Sequence, residues 1–115
     1  MVMLDEGLNR IRDLVSTDIT KGTMGTGTTA AAPTDTDLLA IESNSEATLT
    51  KTSTDRQIQV DYTLVSTSGT TATYTEYKTH SADTDFDRVV FTGIAFTKNG
   101  SLDIQASKKY FFRGT

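Results

Sequence analysis

The clearest pattern of hydrophobic and polar positions lies in the stretch QIQVDYTL at residues 57–64. Ile58, Val60, Tyr62 and Leu64 are apolar, and each residue between them is polar. Successive side chains of a β-strand point to opposite faces of its sheet, so this period of two predicts a strand with one buried and one solvated face.

Further strand-like stretches follow at short intervals. We predict strands near 46–52, 72–77, 88–97, 101–106 and 110–112. Asn99-Gly100 is a strong signal for a tight hairpin, so residues 101–106 are predicted to pair back on 94–98. The run 88–97 is the most apolar, which places it centrally in the sheet, and Gly93 within it marks a bulge. Together these strands predict an all-β fold, an antiparallel β-sandwich or barrel-like roll.

A different period marks the N-terminus. Leu4, Leu8, Ile11 and Val15 recur at spacings of four, three and four, which places them on one stripe of an α-helix near residues 3–16. Residues 1–20 are therefore predicted to form a short amphipathic helical segment. So short a helix is marginal alone. It must dock, either as a lid on its own sheet or against a neighbouring chain.

Between the helix and the body, the periodicity disappears. The stretch GTMGTGTTAAAPTDTD at 22–37 places Gly22, Gly25 and Gly27 among threonines, and Pro33 favours an extended backbone before it. We predict an extended linker arm over residues 21–37, then a β-sandwich body over 38–115. Residues 37–42 are predicted to form a short strand or a landing point on the core.

The amino-acid composition is unusually rich in threonine. Of the 115 residues, 23 are threonine, whereas 36% are hydrophobic. Threonine is frequent in strands and on solvated sheet faces, so we expect much exposed sheet. In TATYTEYK at 71–78 the polar alternation predicts a wet or inter-subunit face. Tyr74 and Tyr77, which alternate onto opposite faces of this strand, are the candidate interface residues.

Charge and cysteine content narrow the classes of function. The formal net charge is −4, which argues against nucleic acid as a partner, because nucleic-acid binding needs clustered Lys and Arg. The chain has no cysteine, so it offers no thiolate nucleophile and no cysteine zinc site. No apolar run approaches a membrane span and no secretion signal is visible, so we expect a soluble protein with no membrane partner.

The candidate chemical motifs are each incomplete. GTGTTA at 25–30 fits a loose dinucleotide pattern, but no apolar strand precedes it. DTDFD at 83–87 begins like a calcium loop, yet Arg88 stands where its turn glycine belongs. His80 is the only histidine, and no serine stands in a nucleophile motif. We therefore predict no catalytic, cofactor or metal site, and no enzymatic activity, with a small hydrolase as the least favoured alternative.

The order of these parts carries a resemblance. A short helix GLNRIRDLV, an extended connector and a Thr-rich β body ending in an aromatic strand resemble small structural proteins of tailed phages and archaeal tailed viruses. The pattern is most similar to the N-terminal part of tail-collar and tail-fibre proteins. Gly7-Leu8 matches its first motif. The connector motif is matched by Gly25, Gly27, Thr28, Ala32, Pro33, Thr34, Asp37 and Leu38.

This resemblance implies a virion structural protein, a homo-oligomer that contacts copies of itself and other virion proteins, in the tail, collar or fibre region or as a decoration on the capsid. The implied assembly residues are Leu4, Leu8, Ile11, Val15, Gly22, Gly25, Gly27, Pro33, Tyr74 and Tyr77. The arm would lie along a neighbouring subunit, so removing residues 1–36 is expected to abolish assembly while the body stays folded. The alternative for the arm is an ordered surface loop.

A second function also fits the sequence. A carbohydrate- or surface-binding β module, such as a small adhesive domain, would use loops that bear His80, Asp83, Asp85 and Asp87. These residues would contact a glycan, with or without calcium. Stabilisation of the fold by a glycan or by calcium would distinguish this function from assembly.

Overall fold

The computed structural model describes residues 4–32, 34–35, 37–38 and 40–113, and within them it contains one helix and two antiparallel sheets. The all-β prediction is thereby confirmed. In chain order the elements are α1 (Asp5–Asp18), β1 (Lys21–Gly25), a 3-10 turn (Ser43–Ser45), β2 (Ala47–Thr48), β3 (Thr50–Thr54), β4 (Gln57–Leu64), β5 (Ala72–His80), β6 (Val89–Phe96) and β7 (Ile104–Phe111).

The two sheets pack face to face around one core. Sheet A has the strand order β2-β1-β5-β6, and sheet B has the order β3-β4-β7. The core joins apolar residues of both sheets, and its centre is a pair of tyrosines, Tyr62 from sheet B and Tyr77 from sheet A, with ring centroids 5.1 Å apart. The arrangement is a β-sandwich.

Strand β4 occupies the residues that its alternation predicted. Ile58, Val60, Tyr62 and Leu64 are each at most 1% exposed, because they point into the sandwich. Their polar neighbours lie on the outer face of sheet B, between β3 and β7. The period of two was decisive here because only one face of this strand is buried.

The linker prediction for residues 21–37 is wrong at its N-terminal end. Residues 21–25 form β1, an internal strand between β2 and β5 that is buried almost throughout. Its glycines are required by close approach: a Cβ on Gly22 would lie 2.7 Å from Tyr62, and one on Gly25 would lie 2.4 Å from the carbonyl oxygen of Ala40. Removing residues 1–36 would delete this strand, so that truncation would not leave the body folded.

Residues 26–40, which follow β1, are called the connector. Part of it returns to the sheet: Thr26 donates its N–H to the carbonyl of Ala40 at 2.9 Å, and Ile41 forms an isolated bridge with Gly25. The strand predicted at 37–42 is reduced to that bridge, although Leu38 is buried as a landing point.

The hairpin predicted at Asn99-Gly100 is also wrong. These residues do form a turn, since Asn99 has a φ of 63° and Gly100 donates to the carbonyl of Thr97. The turn connects the two sheets, however, so β6 pairs with β5 and β7 pairs with β4. Strand β6 lies at an edge instead of the centre. The bulge predicted at Gly93 is confirmed by a register shift between Val90 and Ile94.

Tyr74 and Tyr77 lie in the core, which contradicts the prediction that they face solvent or another subunit. They are 0% and 2% exposed. Three positions apart, they would point to opposite faces of a regular strand, but the register shift between Tyr74 and Glu76 allows both to point inward. The local alternation was therefore misleading.

Helix α1 lies against sheet B of its own chain. Leu8 is buried and Val15 packs against the core, while Asn9 accepts the backbone N–H of Arg56 at 2.8 Å. Arg12 donates to the carbonyl of Thr54 at 2.7 Å. These contacts fix the helix over the β3–β4 turn, as the lid alternative predicted.

Candidate functional site

A buried carboxylate fastens both ends of the connector to sheet A. The Glu76 side chain is fully buried beside Gly25. One of its oxygens accepts the backbone N–H groups of Gly27 at 2.7 Å and Ala40 at 2.9 Å, and the other accepts Nε of Arg88 at 2.9 Å. The connector is consequently closed into a loop over the sheet.

Arg88 ties the same carboxylate to the middle of the connector. Its side chain is only 5% exposed, and its guanidinium reaches Asp35 at 3.0 Å and the carbonyl oxygen of Thr29 at 2.7 Å. A buried charge is costly unless it is paired and hydrogen-bonded, and this cation meets two carboxylates. The Glu76–Arg88–Asp35 network therefore holds the connector down.

A second cation fastens the connector further along. Nζ of Lys78 lies 2.7 Å from Asp37 in the connector and 2.9 Å from Asp85 in the β5–β6 turn. Burial alone would lower the pKa of Lys78, but the two carboxylates outweigh that effect and raise it. Lys78 is thus held in its charged form.

A cavity of about 320 Å³ opens between the connector and the β5–β6 turn. Its walls carry the charged side chains of Asp35, Asp37, Lys78, Asp85, Asp87 and Arg88. Every one of them pairs with an opposite charge of the same chain. A charged ligand in this cavity would have to compete with these internal ion pairs.

A third polar cluster joins the two sheets through Asp87. Its Oδ1 atom accepts both the N–H and the hydroxyl of Thr79 in sheet A and Nζ of Lys108 in sheet B, at 2.7–3.0 Å. Tyr110 donates its hydroxyl to Oδ2. Burial acts to raise the pKa of Asp87, but Lys108 and these hydrogen bonds outweigh it and leave the pKa below its usual value.

This lowered pKa predicts a dependence of stability on pH. Because the folded state lowers the pKa of Asp87, its contribution is fully present above the unfolded value of about 3.9 and is lost as the pH falls through the lower folded value. We expect Asp87→Asn to reduce the loss of unfolding free energy between neutral pH and the acid range. Urea titrations at a series of pH values measure the unfolding free energy of the unaltered protein and of the variant. Equal losses in both proteins would contradict this role.

The residues of the predicted glycan or calcium loops belong to separate hydrogen-bond groups. His80 is buried, with Nε2 2.8 Å from the Thr23 hydroxyl. Asp83 bonds Ser81, while Asp85 and Asp87 pair with lysines. Among the residues that the structure describes, no three His, Cys, Asp or Glu side chains are grouped as metal ligands.

The predicted assembly residues divide into exposed and internal ones. Leu4 is 71% exposed and Ile11 is 40% exposed, whereas Leu8 and Val15 pack on the chain's own body. The three glycines and the two tyrosines are buried. Pro33 lies outside the described residues. Leu14, which widens the same helical face, is 59% exposed, so α1 presents an outward apolar patch of Leu4, Ile11 and Leu14.

An apolar groove of about 540 Å³ lies between β6 and β7, where each sheet ends. Val89, Phe91 and Ile94 line one side, Ile104 and Ala106 line the other, and Lys108 stands at the rim with its Nζ 4.1 Å from the Tyr77 ring centroid. Sequence reasoning missed this groove because it placed β6 at the centre of a sheet. The signal that could have revealed it was an uncharged run that ends in a turn.

Sequence reasoning also missed Glu76 and Arg88. A lone carboxylate in the uncharged stretch TATYTEY was the available signal, since such a residue must be exposed or paired. Its partners lie 12 residues away in the β5–β6 hairpin and 49 and 36 residues away in the connector. Those separations follow no local period, so spacing could not identify them.

No helix in the described part of the chain has the length and apolarity needed to cross a membrane. Comparison with known proteins found no family model, no curated protein and no solved structure that matches this chain.

Proposed function

We propose that the protein is a non-enzymatic structural subunit that assembles in multiple copies, and that its assembly is the virion of a tailed virus. The observation that carries the assembly proposal is the outward apolar patch of α1. The virion setting rests on the resemblance of the N-terminal pattern, and whether the subunit lies in the tail region or on the capsid is left open by it.

The patch supports assembly because the helix does not need it for its own docking. Leu8 and Val15 already pack on the body, and Asn9 and Arg12 bond the β3–β4 turn. A helix that served only as a lid would need only the apolar residues that pack on the body. Leu4, Ile11 and Leu14 lie beside that docked side and stay exposed, so they leave an apolar surface that a second subunit can cover by a helix-in-groove or helix-to-helix contact.

The buried charged groups also support the proposal, because they are engaged in contacts within the chain. The buried carboxylates and cations that chemistry would require are already engaged in fastening the connector and joining the sheets. Their energetic role is to hold one conformation of a Thr-rich chain. A rigid module of this kind suits repeated use in an assembly.

The test is a matched pair of substitutions on α1. We expect Leu14→Glu to weaken self-association, because it places a charge in an apolar contact, and Thr17→Glu, which adds the same charge at another exposed position of the helix, to leave it unchanged. Sedimentation velocity over a concentration series measures the association. Circular dichroism checks that both variants keep the fold.

Equal association of the two variants would overturn the role of the helix patch. The virion setting is tested separately, by mass spectrometry of virus particles purified from the source cells. Peptides of this chain are expected there in many copies per particle, and their absence from such particles would contradict it.

A further inference from the structure

Strand β6 differs from the other sheet edges of the described chain in having only the bulge at Gly93 as protection against pairing. β2 has only two residues, β3 carries Lys51, and β7 carries Lys108 and Lys109. Short edges and edge lysines discourage pairing with another chain. β6 extends over the eight residues Val89–Phe96 without a charge or a proline.

The free edge of β6 is accessible and apolar. β6 pairs only with β5 among the described strands, so its other edge presents backbone N–H and C=O groups that lack strand partners. Val89 and Ile94 are each 41% exposed beside that edge. The bulge interrupts the register only between Val90 and Ile94, and pairing with β5 is regular on both sides of it.

We propose that β6 pairs antiparallel with β6 of a second copy of this chain, which joins the two sheets A into one continuous sheet. This inference rests on the proposed assembly function and names one of its surfaces. The pairing is isologous: each copy offers the same strand, and the contact consumes both free edges, so it closes at a dimer. The helix patch remains available for further association.

Charge complementarity favours a second copy as the occupant. The turn before β6 is acidic, with Asp83 exposed, and Lys98 follows the strand. Neither Asp83 nor Lys98 forms an ion pair within the described residues. Antiparallel pairing brings the start of each β6, where Asp83, Asp85 and Asp87 outnumber the one cation Arg88, to the Lys98 end of the other, while the strand itself contributes no like charges.

Two kinds of variant test this pairing. We expect Ile94→Lys to raise the dissociation constant of the dimer by about tenfold or more, because two lysines are brought into the contact. Leu102→Lys removes an apolar side chain that is 80% exposed beyond the strand, and it should leave the constant unchanged. Circular dichroism verifies the folding of each variant, and sedimentation equilibrium gives the constants.

Cross-linking gives an independent reading of the same contact. The chain has no cysteine, so Thr92→Cys places a single thiol near the middle of β6, and Thr63→Cys places one on the exposed outer face of β4. A short bismaleimide is expected to join two copies of the first variant and not of the second.

The outcomes separate this inference from the function on which it rests. Association of the unaltered chain that is lost in Ile94→Lys and trapped through Thr92→Cys supports the pairing. Association that is unaffected by Ile94→Lys, without cross-linking at Thr92→Cys, overturns the β6 pairing and leaves assembly through another surface. A chain that stays monomeric at every concentration overturns both.

Discussion

Replacing Glu76 by alanine is expected to lower the free energy of unfolding by about 3–5 kcal/mol, the usual cost of removing one partner of a buried ion pair. The carboxylate is fully buried, and its loss leaves Nε of Arg88 and the N–H groups of Gly27 and Ala40 without their acceptor. Urea denaturation gives the change. Hydrogen exchange of the Gly27 and Ala40 amides should accelerate at the same time.

The matched control for this experiment is Glu46→Ala. Glu46 also pairs with a cation, Lys21, but both side chains are nearly half exposed, so we expect a change within about 0.5 kcal/mol. Glu76→Gln keeps the side-chain volume and one acceptor, and remains measurable if the alanine variant does not fold. Equal effects at positions 46 and 76 would contradict the role of Glu76 in fastening the connector.

Replacing Tyr77 by alanine is expected to cost about 3–5 kcal/mol, because it removes a buried ring from the centre of the core. Tyr77→Phe should instead be close to neutral or slightly stabilising. The Tyr77 hydroxyl is buried and has no hydrogen-bond partner among the described residues, so its removal sacrifices no bond. Urea denaturation with unchanged m-values measures both variants.

Tyr62 provides the comparison for Tyr77. Its ring packs against Tyr77, but its hydroxyl donates to the carbonyl of Ser45, so Tyr62→Phe should cost about 1–3 kcal/mol. A Tyr77→Ala change as small as that of an exposed residue would place Tyr77 at the surface, as the sequence pattern had predicted. A larger cost for Tyr77→Phe than for Tyr62→Phe would show that the Tyr77 hydroxyl has a partner.

The parts of the fold that could be predicted are those where one face of an element meets the core. Strand β4 and helix α1 show their buried sides as periods in the sequence, and both were found near their true bounds. Strand β1 could not be found in this way. Its glycines have no side chain to show a period, and they are needed because tyrosine rings and the connector backbone approach them closely.

The pairing of the strands was the second feature that the sequence could not predict. The turn at Asn99-Gly100 was recognised, yet a turn residue reports only a local change of direction. Whether β7 then pairs with β6 or crosses to β4 depends on the packing of two sheets, which no local pattern records. The contacts of Glu76 with Gly27 and Ala40 have the same origin, since these two donors reach the carboxylate only after the connector has folded back.

The folded connector changes where assembly can take place. A free arm would reach a neighbouring subunit, but the side chains of Glu76, Lys78 and Arg88 hold the connector on sheet A. Their contacts are with Gly27, Asp35, Asp37 and Ala40. Among the described residues, the apolar patch of α1 and the edge of β6 are exposed to a partner. We therefore propose assembly through these two surfaces and not through the arm.

The most direct test of the central claim is the mass of the purified full chain in solution, measured by light scattering over a range of concentrations. The monomer has a mass of 12.5 kDa. Self-assembly predicts a mass that rises with concentration to a discrete multiple of this value. A mass of one chain at every concentration would contradict the claim that this protein assembles with copies of itself.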